Sequence, residues 1–144
     1  MVRVCIDASL ILASLLKEDL SAFVDPMLSS WAETRAELLA PPLFGVEVPS
    51  GLRQATHRKR IELTEADALL KFFLEFPIRI SGSDNLLQKA WAIGRDLNAP
   101  RLYDMLYIAL AEIEDCDLWT ADRRLVNLAS RRFPRVRWVG ETQT

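Results

Sequence analysis

Apolar residues fall into two alternating patterns along this chain. Short continuous runs read as buried strands, and stripes spaced three or four residues apart read as amphipathic helices. Residues 2–6 (V-R-V-C-I) form the first run. Leu10, Ile11, Ala13, Leu15 and Leu16 then predict a short helix that Lys17, Glu18 and Asp19 carry to the surface. Ala22, Phe23, Met27 and Leu28 predict a second helix, interrupted near Pro26 and running on to about Glu37. Leu38–Ala40 is a strand closed by Pro41 and Pro42, after which a helix from Leu43 runs toward Arg60. Thr64-Glu65-Ala66-Asp67 has the form of a capping box opening a helix through Glu75, and Pro77–Ile80 is a brief strand. Ser83 caps a helix striped by Leu86, Leu87, Ala90, Ile93, Gly94 and Leu97, and Leu102, Leu106, Ala109, Leu110 and Ile113 mark another. Strands at Asp117–Thr120 and Val136–Val139 flank a helix from about Arg123 to Arg132. This alternation predicts an α/β sandwich with a central, mostly parallel sheet flanked by helices.

The 144 residues suit a single domain spanning 1–144, and no repeat, linker or low-complexity tract divides them. A net charge of -2 selects no partner class, because acids gathered in a site can mask a basic rim. Cys5 and Cys116 fall in predicted buried segments and read as small core residues rather than a disulfide, so a reducing cytoplasm is expected. The apolar L-I-L-A-S-L-L run after Arg3 superficially resembles a signal sequence. Asp7 interrupts the stretch between Arg3 and that run, and the run is too short to span a bilayer.

The pattern changes meaning at four acids. Asp7, Glu47, Asp104 and Asp122 each lie where a predicted strand ends or a helix begins, and three follow directly on apolar segments. A carboxylate beside buried apolar surface is costly unless it caps a helix, meets a cation or holds a metal. Singly, each has a structural explanation: Asp7 and Asp122 as caps, Asp104 against a helix dipole, Glu47 as a solvated helix residue. Together they lie where a parallel sheet opens its ligand crevice, and acids sharing that crevice call for a divalent cation.

The residues around these acids carry a resemblance. I-D-A-S-L-I at Asp7, P-x-L-F-x-V-E-V-x-x-x-L at Glu47, Y-D-M-L-Y-I-A-L-A-E at Asp104 and W-T-A-D-R-R-L at Asp122 resemble the PIN-domain ribonucleases, most of all the VapC-type toxins of toxin–antitoxin pairs. Order, spacing and overall length all fit. The resemblance implies a PIN-like three-layer sandwich and a metal-dependent endoribonuclease. Mg²⁺ or Mn²⁺ would be held by Asp7, Glu47, Asp104 and Asp122, with the Ser9 and Thr120 hydroxyls as helpers. It further implies a homodimer silenced by a small antitoxin whose C-terminal segment lies across the acidic groove. Many members carry asparagine three residues after the glutamate, where this chain has Ser50 between Pro49 and Gly51. Pro49 cannot donate to the Gly45 carbonyl, which predicts a kink and places Glu47 last among the four acids, after Asp7, Asp104 and then Asp122.

The chemistry stands apart from the resemblance. Hard Mg²⁺ prefers oxygen ligands and retains waters, so a few carboxylates and a substrate phosphate suit it. His57 is the only histidine, which excludes a two-histidine acid–base mechanism, and neither a zinc-like cysteine spacing nor a glycine-rich phosphate loop occurs. Arg53, His57 and Arg60 share a predicted helix face and read as RNA-phosphate contacts or, more often, a solvated face. Arg123 and Arg124 are placed to reach substrate, whereas Arg131 and Arg132 read as surface. Trp31, Trp91, Trp119 and Trp138 read as core or interface. Phe72, Phe73 and Phe76 read as a dimer stripe. Three rivals remain: a noncatalytic RNA-binding or interaction module with the acids as caps, a PIN-type processing nuclease without an antitoxin, and a receiver-type acid pocket. The last needs a late lysine, and none follows Lys89.

Overall fold

Five short strands rich in aliphatic residues pair entirely in parallel. In the computed structural model, which describes residues 1–143 and side chains through Glu141, they are β1 (Arg3–Ile6), β2 (Glu37–Ala40), β3 (Arg79–Ile80), β4 (Asp117–Thr120) and β5 (Val136–Trp138). Their order in the sheet is β3-β2-β1-β4-β5. Val4, Cys5 and Ile6 and Leu38, Leu39 and Ala40 are buried in unbroken runs, as strands covered on both faces require. The chain builds outward from β1 through β2 to β3, then crosses back to add β4 and β5 on the other side. The switch point therefore lies between β1 and β4, where an open α/β sheet places its ligand crevice.

Seven helices flank the sheet among the described residues. They are α1 (Ala8–Leu15), α2 (Ser21–Glu33), α3 (Phe44–His57), α4 (Leu63–Leu74), α5 (Asp84–Asp96), α6 (Tyr103–Glu114) and α7 (Arg123–Ala129). α6 lies against β1 and β4 and carries α5 on its outer side, while α1 packs on α2 and α3. Tyr107, Phe44, Ile6, Leu10 and Leu39 are the largest fully buried side chains, and truncating such a residue costs about 2–5 kcal/mol. Cys5 and Cys116 are free, buried thiols, and burial pushes both pKa values up. No helix among the described residues is long and apolar enough to cross a membrane.

The two ends of the sheet are electrically different. At the amino ends, Arg3 pairs with Glu114, and Arg79 bridges Glu37 at 3.0 Å and Glu114 at 3.1 Å, so the acids there are neutralised. At the carboxyl ends no lysine or arginine lies within ion-pair distance of Asp7, Glu47 or Asp104 among the described residues. There Arg124 pairs only with Asp122, at 3.7 Å, so the repulsion among the acids at that end is only partly offset.

Several sequence expectations need correction. α4 begins at Leu63 behind Glu62, with no side-chain cap bond, so Thr64 lies inside the helix and no capping box forms. Ser83 is the cap residue of α5 but makes no side-chain bond to it. α2 runs through Pro26 without interruption and stops at Glu33, because Arg35 turns left-handed (φ 55°) and Glu37 enters β2. α3 likewise continues through Pro49, so the predicted kink does not break it, and it ends at His57. Arg60 lies beyond the helix, next to Glu18. Phe73 is buried with its ring centroid 5.5 Å from that of Phe44, whereas Phe72 is exposed; these residues do not form one surface stripe.

Candidate active site

Asp7 follows the last residue of β1 and caps α1: its Oδ1 accepts from the Leu10 N–H at 3.2 Å and the Ser9 hydroxyl at 2.7 Å. Its Oδ2 accepts from Thr120 Oγ1 at 2.6 Å, which joins the carboxyl end of β1 to that of β4. Ser9 Oγ in turn accepts from the Ala121 N–H at 3.0 Å, and Thr120 Oγ1 from the Asp122 N–H at 2.9 Å. The two hydroxyls thus hold the β4–α7 turn and Asp7 in one network. Burial drives the Asp7 carboxyl up to about 7; the bonds from Thr120, Ser9 and Leu10 oppose that rise, and the charge of Asp104 adds to it.

Asp122 caps α7 by accepting from the Arg124 N–H at 3.0 Å. Asp104 sits in the first turn of α6, half-buried. Burial raises its carboxyl first, and the charges of Asp122 and Glu47 raise it further, while Arg124 and Arg101 pull it down. Glu47 occupies the first turn of α3 and accepts a 2.6 Å hydrogen bond from the Tyr107 hydroxyl. Burial, and then that carboxylate, keep the Tyr107 phenol protonated far above its usual range.

All four acids line one open cavity of about 280 Å³, together with Ser9, Ser50, Gln54 and Tyr107. A second cavity of about 370 Å³ shares Glu47, Asp104 and Asp122 and adds Arg101, Tyr103 and Arg124. The arrangement therefore combines acid capping with acid clustering, and the two roles coexist at the same residues. As the side chains stand, no three acidic, histidine or cysteine groups among the described residues converge closely enough to hold a metal ion. Asp7 faces the hydroxyls and Glu47 faces Tyr107. The donor set nevertheless suits a hard divalent cation, being all oxygen and carrying repulsion that a cation would relieve.

The remaining expected contacts divide. Arg124 lines the groove, but Arg123 lies over the Trp138 ring, 4.1 Å from its centroid, and is held there by cation–π attraction. Arg53 is exposed on α3 and does not line the cavity; its neighbour Gln54 does. Arg132 is a surface residue near Asp96 at 3.6 Å. Sequence reading missed Tyr107, Gln54 and Arg101. Tyr107 lies three residues after Asp104, and its hydroxyl on a buried helix face was the available signal, since a buried phenol needs a partner.

Residues 4–130 match the family model described as the PIN domain. The chain is 32% identical over 97 residues to VapC ribonuclease Mb0985 of Mycobacterium bovis, covering 67% of this chain and 74% of that protein. It is 32% identical over 106 residues to ribonuclease VapC3 of Mycobacterium tuberculosis, covering 74% and 72%. Among solved structures, PAE2754 of Pyrobaculum aerophilum superposes with a TM-score of 0.70 at 19% identity, over 98% of this chain and 92% of that one. VapBC2 of Rickettsia felis, solved bound to a DNA fragment from its promoter, superposes with a TM-score of 0.68 at 13% identity, over 94% and 96%. At such identities the two structures speak for the fold.

Proposed function

This chain belongs to the PIN-domain family, and on that premise we propose that it is an endoribonuclease, the toxin of a toxin–antitoxin pair, hydrolysing RNA phosphodiester bonds with Mg²⁺ or Mn²⁺. The observation that carries this reading is the convergence of Asp7, Glu47, Asp104 and Asp122 on one open groove at the sheet's switch point, without neutralising partners for three of them. Asp7 and Asp104 would hold the ion most directly, with Asp122 next and Glu47 last. The bound ion would lower the pKa of an attacking water and offset the charge that builds on the phosphate.

The protein's own groups do the positioning. Thr120, Ser9 and the Leu10 N–H fix Asp7, so the carboxylate is already oriented before substrate arrives. Tyr107 fixes Glu47 from across the groove. Arg101 and Arg124, on the far side of Asp104, are the cations available to RNA phosphates, while Arg53 and Arg123 are not directed at the acids. His57 lies outside the groove lining, so proton transfer falls to water and carboxylates.

The proposal extends to the whole chain acting as one domain in the cytoplasm, paired as a homodimer and silenced by a small antitoxin. Phe72 supports the dimer: it is 60% exposed beside an apolar cleft formed with Ile11, Leu15, Leu28 and Phe76. The test is cleavage of single-stranded RNA in Mn²⁺ or Mg²⁺ against a matched reaction in EDTA. Metal-dependent products support the reading; equal cleavage in EDTA removes it.

A further inference from the structure

α5 presents two large apolar side chains to solvent, Leu87 (57% exposed), which the sequence stripe had included, and Trp91. Leu86, Ala90, Ile93 and Gly94 are buried, but Trp91 is 65% exposed, which removes the core half of the core-or-interface reading for it. One exposed indole makes no site. Its surroundings do, because the Trp91 side chain borders a cavity of about 330 Å³ whose other edges include Gly94, Arg95, Asn98 and Arg101. The cavity contains no carboxylate, and neither Arg95 nor Arg101 has an ion-pair partner among the described residues, whereas Arg3, Arg79, Arg135 and Arg137 all do. The Ala99-Pro100-Arg101 turn lines this cavity and the acidic groove alike, so Arg101 faces both.

We propose that the Trp91–Arg101 cavity is a nucleotide subsite for single-stranded RNA running out of the acidic groove: a base stacks on the Trp91 ring, and Arg95 and Arg101 take the adjoining phosphates. The subsite rests on the nuclease reading and adds to it where the strand goes. An aromatic face beside unpaired cations, without acids, fits a polyanion that also carries flat rings. Stacking of this kind tolerates any base, so the subsite contributes affinity and a preferred direction of the strand rather than sequence choice. Asn98, whose left-handed backbone (φ 51°) ends the helix at the cavity rim, supplies an amide that can meet a base edge.

The test uses the full chain and a fluorescein-labelled 12-nucleotide single-stranded RNA of random sequence. Binding is followed by anisotropy in Ca²⁺ and turnover in Mn²⁺, for the wild type, Trp91→Ala and Trp91→Phe. Trp91→Ala should raise Kd and KM about tenfold and leave kcat within about twofold, and Trp91→Phe should recover most of the loss because a ring face remains. Melting and sedimentation of each variant run alongside. If the wild type cleaves RNA and Trp91→Ala matches it in Kd and KM, the subsite is overturned and the nuclease reading stands. If Trp91→Ala loses affinity only with a halving of sedimenting mass, the surface joins two copies of the chain, and the subsite is again overturned. A wild type that neither binds nor cleaves the RNA overturns both readings.

Discussion

The Tyr107 hydroxyl donates to Glu47 Oε1 at 2.6 Å, tying α6 to α3 across the acidic groove through residues 60 positions apart. Tyr107→Phe keeps the buried ring and deletes only this bond. The variant should lose about 1–2 kcal/mol of stability and retain the metal-dependent reaction at a kcat lowered about tenfold, as for loss of a partner that orients a ligand. Urea denaturation and steady-state cleavage read the two effects separately. An unchanged kcat would leave the bond a purely structural tie.

Glu47 itself should matter less than Asp7. Asp7→Ala should eliminate cleavage, whereas Glu47→Gln should retain about one part in a hundred of it. Because α3 continues through Pro49, Pro49→Ala should leave activity within about twofold and raise stability by about 1 kcal/mol, by restoring a donor to the Gly45 carbonyl. Equal inactivity of Glu47→Gln and Asp7→Ala would place Glu47 level with Asp7.

Stability should fall with rising pH in the absence of metal. The Asp7 carboxyl titrates at about 7 when folded and near 3.8 when exposed, so between these values the native state holds more protons than the unfolded state. The loss should therefore accumulate from about pH 4 to about pH 7 and persist above, amounting to at most about 4 kcal/mol. Asp7→Asn should flatten this profile and melt higher than wild type at pH 8. Parallel slopes for the two proteins in EDTA would contradict it.

Metal binding should run the opposite way. An ion in the groove displaces the Asp7 proton, so Mn²⁺ affinity by calorimetry should rise about tenfold between pH 6 and pH 8 and level off above, with proton release at and below about pH 7. Affinity independent of pH over that range would remove Asp7 from the ion's ligands.

The sheet was legible because its strands are short apolar runs with no helical alternative, and the strand-end acids followed from them. Helix ends were less so. The capping-box pattern at Thr64 lost to a start at Leu63, and the α2 stripe overran because nothing local shows that Arg35 turns left-handed. Phe72 and Phe73 are adjacent yet point to solvent and core, a distinction that depends on where Phe44 lies. Tyr107 and Arg101 were missed for the same reason. Their roles come from groups on other elements, and a motif centred on Asp104 does not reveal which neighbour its helix will meet.

The most direct measurement compares wild type, Asp7→Asn and Asp104→Asn in one experiment, with single-stranded RNA cleavage in Mn²⁺ beside apo melting temperature. Removing one charge from the cluster should abolish cleavage, by at least about a thousandfold, while the apo protein melts at the same temperature or higher because repulsion is relieved. Retained cleavage in both variants, or a clear drop in melting temperature in both, would contradict the account and leave these aspartates as helix caps.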